Sequence, residues 1–255
     1  MSSPVFLDAA ASTASAGDVI VVEGGEARHA SVTRLAPGER VDIVDGAGAR
    51  ASGVVVEGSP ERLEVRVDAT SFDDDPEVVL VQALAKGGRD EEAVEAATQL
   101  GATRVIPWAA ERSIVQWRGA KAEKGRSSWQ DRVVAAAKQS RRARVPVVDP
   151  LVTTATLGGL VEQAVGRGAT VLVLHETATQ PLALPVRPGE PFEPLWLIVG
   201  PEGGIADGEL DALVTAGGVA TRLGPYVLRA SEAGPAAIAA ASALRGAWAA
   251  PPSAL

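Results

Sequence analysis

Two short stretches carry the strongest chemical signal in this chain: Leu197-Ile-Val-Gly-Pro-Glu-Gly-Gly204 and, shortly downstream, Arg222-Leu-Gly-Pro-Tyr-Val-Leu-Arg229. Each is an apolar run that enters a glycine-proline turn with a helix predicted soon after. In that setting backbone amides, more than side chains, hold a small ligand. Glycine lets the ligand approach the main chain, and proline stiffens the turn so that less entropy is lost on binding. A third turn, Leu174-His175-Glu176, also follows an apolar run. None of the three reads Gly-x-Gly-x-x-Gly or Gly-x-x-x-x-Gly-Lys-Ser/Thr, which disfavours an ordinary dinucleotide or P-loop site. One such turn alone equally well just ends a strand; two so close together predict one composite pocket.

The other chemical signal is charge. The chain has 255 residues, 46% of them hydrophobic, and a net charge of −8. Residues 1–75 hold 6 Arg against 14 Asp or Glu, whereas Arg112 to Arg144 holds 10 Lys or Arg against Glu123 and Asp131. A basic segment is thus embedded in an acidic protein, densest at Lys138-Gln-Ser-Arg-Arg-Ala-Arg144. Cations at a helix end complement its dipole, but four in seven residues exceed that need and predict a phosphate-contacting patch. With no cysteine and only His29 and His175, thiolate chemistry, disulfides and a cysteine- or histidine-rich metal centre are excluded, so no metal is expected. The longest apolar runs are too short to span a bilayer and Met1 to Asp8 lacks the basic start of a secretory signal, which reads as a cytoplasmic protein.

The elements that must position these residues change character along the chain. Val19 to Val22, Arg40 to Val44, Gly53 to Val56 and Leu63 to Val67 read as short strands between glycine and proline turns, a pattern that predicts a small barrel. A helix is predicted over Glu26 to Arg34, where a lone His29 reads as a structural hydrogen-bonding residue. Ser71-Phe-Asp-Asp-Asp-Pro76 reads as a linker. Beyond it, apolar strands (Val78 to Leu84, Arg104 to Trp108, Thr170 to Leu174, Leu195 to Val199, Ala220 to Leu223) alternate with helices (Arg89 to Leu100, Lys121 to Gln139, near Thr154 to Val165, Asp207 to Ala216, Ser231 to Trp248). Continuous apolar strands between helices imply an α/β fold, a mainly parallel sheet covered on both faces. Ligands of such sheets bind at the carboxyl ends of the strands, where all three turns fall. Pro181 to Pro194 reads as a surface loop.

The combination Ile198-Val-Gly-Pro-Glu-Gly-Gly204 and Leu223-Gly-Pro-Tyr-Val-Leu-Arg229 resembles the SPOUT superfamily of S-adenosylmethionine-dependent RNA methyltransferases, and within it the RsmE family, which methylates N3 of a uridine in 16S rRNA. Lys86-Gly-Gly-Arg-Asp90, Glu95 to Gly101, Glu111-Arg112-Ser113 and Gln139 to Pro146 resemble family segments in the same order, and His29 with Arg34 to Glu39 resembles its N-terminal PUA-like barrel. The resemblance implies a PUA-like RNA-binding β-barrel over 1–75 and, over 76–255, a SPOUT methyltransferase domain with a C-terminal trefoil knot. It also implies a homodimer acting on the small ribosomal subunit.

In the family the three loops form the S-adenosylmethionine pocket. The resemblance therefore assigns cofactor binding to Leu174, His175, Glu176, Gly200, Pro201, Glu202, Gly203, Leu223, Gly224 and Leu228. A uridine N3 is an imide nitrogen that becomes nucleophilic by losing its proton. Arg229 suits stabilisation of the imidate oxygens, and Glu232 suits acceptance of the proton. A paired base hides N3, so the target is unpaired or flipped out, with Arg34, Lys86, Arg112, Lys138, Arg141, Arg142 and Arg144 as phosphate contacts. Two departures stand out: Tyr226 occupies a position where the family commonly has Arg, and Ala230-Ser231-Glu232-Ala233 replaces Thr-Glu-Thr-Ala, so that Glu232 falls one residue late. The competing readings are a non-catalytic RNA-binding or assembly factor on the same scaffold, and a methyltransferase aimed at another RNA.

Overall fold

The structure is a computed structural model that describes residues 3–183, 185–186 and 193–249. Residues 184 and 187–192 of the predicted proline-rich loop lie outside the described residues, as do 250–255 of the predicted second domain. The chain forms two compact units, one taking residues up to Asp75 together with Ala137–Val145, the other Pro76–Ala136 and the chain from Pro146 onward.

The first unit contains β1 (Val5–Leu7), β2 (Val19–Glu23), α1 (Gly24–Val32), β3 (Arg40–Val44), β4 (Ala49–Gly58) and β5 (Arg62–Phe72). Their sheet runs β1-β3-β4-β5-β2, with β1 parallel to β3 and the other pairs antiparallel. Alternate residues point inward: Ile20 and Val22, Val41 and Ile43, Leu63, Val65 and Val67 pack with Phe6 into one core, the period-two signature of a half-buried sheet. Register shifts at Ser52/Gly53 and Val55/Glu57 curl β4 against β5, as bulges do. A Cβ on Gly53 would fall 2.2 Å from the Arg66 carbonyl oxygen, so no larger residue fits the close approach.

Three expectations change here. The predicted linker is not free chain: Ser71 and Phe72 belong to β5, while Asp73 and Asp75 are held by arginines. The cause is Arg50, a buried guanidinium whose Nη1 donates to Asp42 (2.9 Å) and whose Nη2 donates to Asp73 (2.8 Å) and the Arg141 carbonyl (2.9 Å). Burial works against this charge, yet the hydrogen bonds and charges of Asp73 and Asp42 raise the Arg50 pKa above its ordinary value. Second, β1 joins the sheet, although three residues are too few to show a pattern in sequence. Third, His29 is exposed and packs edge-to-face on Phe6 at 5.8 Å, with an aromatic contact where a hydrogen bond was expected.

The second unit contains β6 (Val78–Ala83), α2 (Arg89–Gln99), β7 (Arg104–Ala109), α3 (Ala120–Gln139, whose last residues enter the first unit), β8 (Val147–Val148), β9 (Val152–Thr153), α4 (Thr154–Gly166), β10 (Thr170–Leu174), β11 (Leu195–Val199), α5 (Asp207–Thr215), β12 (Val219–Thr221) and α6 (Ala230–Leu244). The sheet order is β12-β10-β11-β6-β7-β8, with β9 also on β7, and every pair is parallel. Val79, Val81, Val171, Val173, Trp196 and Ile198 face α4 and α5; Val78, Leu80, Leu172, Leu195, Leu197 and Val199 face α2 and α6. Burial on both faces explains why these strands read as unbroken apolar runs.

This is the mainly parallel sheet with helices on both faces that the alternating strands and helices predict, as the resemblance to the SPOUT superfamily implies. The connection from β10 to β11 lies against the chain that follows β12: Arg222 N–H donates to the Gln180 carbonyl (2.8 Å) and Leu182 N–H to the Arg222 carbonyl (3.1 Å). Leu182 and Val186 are buried with Ala237, Ile238 and Ala241 of α6, and Arg245 donates to the Glu193 carbonyl at 3.0 Å. The resemblance places its knot in this region. The last helix ends at Leu244, short of the expected Trp248, because Gly246 turns left-handed (φ 73°) before a short 3-10 turn over Ala247–Ala249.

Candidate active site

Parallel pairing brings the carboxyl ends of β10, β11 and β12 side by side, and the three turns with them. Two adjoining cavities open there, of about 180 and 430 Å³. The smaller lies between 174–176 and 222–228, the larger between 174–176, 199–205 and 227–230. Leu174, His175, Glu176, Val227, Leu228 and Ala233 line both, so the two form one cleft. Glu176, Gly200, Pro201, Glu202 and Gly203 sit on the larger cavity and Leu223 and Gly224 on the smaller. The structure thus brings all ten sequence-derived binding candidates together.

Local chemistry shapes each wall. At Gly200 a Cβ would fall 2.6 Å from Ile205 Cγ1, so only glycine allows the buried Ile205 to close the turn. Gly204 takes a left-handed φ of 73° and donates its N–H to the Pro201 carbonyl at 2.9 Å, the conformation for which glycine is suited. His175 N–H donates to the Thr221 carbonyl (3.0 Å), tying the first turn to β12. Its Nδ1 accepts from the Thr177 backbone N–H at 3.3 Å. A backbone N–H only donates, which assigns the neutral imidazole its proton on Nε2.

Several candidates hold the turns together. Glu202 accepts from the Lys86 backbone N–H (3.0 Å) and from Arg89 Nη1 (3.1 Å), so its carboxylate ties the 200–204 turn to the segment before α2. Arg89 thereby lines the larger cavity; it stands three residues after Lys86 in the segment already singled out, and that shared segment was the available signal. Arg112 Nη1 donates to the carbonyls of Gly203 (3.2 Å) and Ile205 (3.3 Å) and acts as a clamp on the turn. Below it, Asp90 is buried and accepts from the Ala85 and Glu91 amides; burial raises its pKa, with those hydrogen bonds opposing.

Arg229 is the N-cap residue of α6, exposed, and part of the larger cavity's wall. Glu232 lies in the first turn of α6, also exposed, and does not line either cavity. The Lys86 side chain is exposed, and so is Arg34, which sits in a left-handed conformation (φ 57°) just beyond α1. In the first unit the dense basic cluster is engaged with carboxylates. Lys138 Nζ lies 2.7 Å from Glu26, Arg142 Nη2 lies 2.8 Å from Asp75, and Arg144 lies 3.9 Å from Asp75 with its guanidinium 5.9 Å above the Phe72 ring. Arg141, with a left-handed φ of 61°, is exposed and turns its carbonyl to Arg50. Phosphate contact by Lys138, Arg142 or Arg144 therefore requires exchange of an existing pair.

Comparison with known proteins agrees with this architecture. The RNA methyltransferase domain family matches residues 73–242, and the RNA methyltransferase PUA domain family matches residues 22–68. Ribosomal RNA small subunit methyltransferase E of Mycobacterium bovis is 44% identical over 237 residues, covering 91% of this chain and 89% of its own length. The chain belongs to the ribosomal RNA small subunit methyltransferase E family. Another member, from Synechocystis, is 31% identical, with 84% of this chain and 69% of its own length covered. Among solved structures, the Neisseria gonorrhoeae member bound to S-adenosyl methionine superposes with a TM-score of 0.82 at 27% identity, covering 95% of this chain and 98% of that one.

Proposed function

We propose that this protein transfers a methyl group from S-adenosylmethionine to N3 of a uridine in 16S rRNA of the small ribosomal subunit, as a cytoplasmic homodimer. The observation that carries the reading is the single cleft built from all three turns at the carboxyl ends of β10, β11 and β12, in a family whose Neisseria member is a solved complex with that cofactor. The residues present fit the cofactor. Leu174, Leu223 and Leu228 offer apolar walls for adenine, the glycines of 200–204 bring the main chain to the larger cavity's wall, and Glu176 lines both cavities with a carboxylate to balance a sulfonium charge. When bound, the cofactor supplies an electrophilic methyl group.

The chain's own residues prepare the acceptor. Arg229, on the wall of the larger cavity, is the proposed stabiliser of the negative charge that spreads over the imide oxygens as N3 loses its proton, and Glu232, in the first turn of the same helix, is the proposed proton acceptor. Support for a homodimer includes Tyr226 and Val227, which are 83% and 78% exposed beside the cleft; such apolar surface suits a subunit contact. The deciding experiment is transfer of labelled methyl from S-adenosylmethionine to isolated small subunits, followed by mapping of the modified base. Label on N3 of a uridine is expected, and label on a carbon or a ribose overturns the assignment.

A further inference from the structure

We infer that the segment from Ser113 to Lys124 is the surface on which single-stranded RNA is fed to the cleft, with Trp117 as the platform for a base and Arg118, Lys121 and Lys124 as the phosphate contacts. The inference rests on the methyl-transfer reading above and adds where the substrate is gripped.

The segment leaves the carboxyl end of β7, on the same sheet edge as the cleft, and is fastened to the cleft's own turn. Arg112 donates to the carbonyls of Gly203 and Ile205. The buried Glu209 carboxylate accepts from the Glu111 amide at 2.9 Å and from the Ala206 amide at 3.3 Å. Beyond this fastening lies a separate cavity of about 270 Å³ whose lining includes Ser113, Gln116, Trp117 and Arg118. Trp117 is rigidly seated. Its ring packs edge-to-face on the buried Trp129 at 5.2 Å, and a Cβ on Gly125 would fall 2.4 Å from it. Glycine inside a helix costs stability, and here it is required because the indole lies across α3. The ring stays half-buried at the cavity, an arrangement suited to stacking a base of any identity.

The charges point the same way. Arg118, Lys121 and Lys124 are exposed and form no ion pair among the described residues. Arg126 and Arg132, further along α3, pair with Glu123, Glu91 and Glu95. Lys121 lies in the first turn of α3, beside Glu123, where the helix dipole favours anions and disfavours cations, and Lys124 follows it at the start of the second turn. Lys121 works against the stability of its own helix, and an external polyanion accounts for it and for the exposed Lys124 and Arg118 beside it. Cations next to an aromatic platform, joined to a cleft that acts on one base, match an unpaired RNA strand: phosphates meet the cations while a neighbouring base stacks.

The test compares wild type with R118Q/K121Q/K124Q, using a single-stranded uridine-containing RNA oligonucleotide, S-adenosylmethionine and isolated small subunits as probes. Oligonucleotide affinity at low salt is expected to fall about tenfold or more, with the log–log salt slope flatter by about 2. Cofactor affinity should stay unchanged, and the melting temperature should hold or rise because the Lys121 charge leaves the first turn of α3. Trp117→Phe, which keeps a ring against Trp129, should lose affinity with no change in salt slope. Unchanged oligonucleotide affinity and slope in the triple variant overturns the inference, whether or not wild type methylates subunits. Loss of binding to intact subunits alone, with the oligonucleotide unaffected, also overturns it and points to a protein partner. A wild type that binds cofactor and oligonucleotide yet labels no RNA refutes the methyl-transfer reading, while the salt slopes still decide the surface.

Discussion

Arg229 and Arg50 show the same side-chain chemistry put to opposite uses. Arg229 is exposed on the cavity wall, so its charge is available to a reacting base. Replacing it with alanine should lower kcat for methyl transfer by about 100-fold while cofactor affinity changes little, the signature of stabilisation felt only in the transition state; titration calorimetry beside single-turnover kinetics separates the two. Glu232→Gln tests the proton acceptor: loss of the basic group should lower kcat for methyl transfer with cofactor affinity unchanged, whereas a purely structural Glu232 leaves kcat in place. Arg50 is buried between Asp42 and Asp73, each bonded at under 3 Å. Arg50→Met leaves two buried carboxylates facing each other and should cost about 3–5 kcal/mol in denaturant unfolding.

At the scale of elements, stability and function meet in the turns and helix starts around the cleft. Gly200→Ala forces a Cβ against Ile205; overpacking of this kind costs about 1–3 kcal/mol and should appear as about a tenfold loss of cofactor affinity with the fold intact by circular dichroism. Asp90, at the start of α2, has a pKa raised chiefly by burial. A carboxyl group whose folded pKa exceeds its unfolded value favours folding below the unfolded value, and that contribution is lost as pH rises through the folded one. Asp90→Asn removes the buried charge and keeps an acceptor for one of the Ala85 and Glu91 amides, which bond to different carboxylate oxygens. Its melting temperature should gain on wild type between pH 4 and neutrality; a constant difference across that range counts against the assignment. The acidic segment before Pro76 teaches the complementary lesson. Acid and proline read as a linker, but carboxylates of Asp73 and Asp75 answer arginines distant in sequence, and no local pattern reveals such partners.

At the scale of the molecule, the chain's charges divide between those that hold it together and those left for a partner. A count of cations could not make that division: Lys138, Arg142 and Arg144 are densest in sequence yet carry carboxylate partners, whereas Lys121 and Lys124 stand exposed near the start of α3, Lys121 in the turn whose dipole opposes it. Cofactor binding should stabilise the unit that holds the cleft. S-adenosylmethionine at about 100 times its Kd is expected to add about 2.7 kcal/mol, and Arg50→Met should leave that increment unchanged, because independent sites that share no partner add. A ligand that shifts no transition in calorimetry favours the non-catalytic scaffold instead.

By itself the sequence determined the alternation of strands and helices, the apolar faces, and the two glycine-proline turns at strand ends. These are local properties, set by side-chain period and by the few residues that tolerate tight backbone geometry. The resemblance carried by those turns reached the family. Only the tertiary structure decided that the turns share one cleft, that Arg89 reaches it while Glu202 and Arg112 brace it, and which cations are spent on internal pairs. Those outcomes depend on parallel pairing between strands separated by 20 or more residues and on partners up to 116 positions apart, and no short-range pattern encodes contacts of that reach.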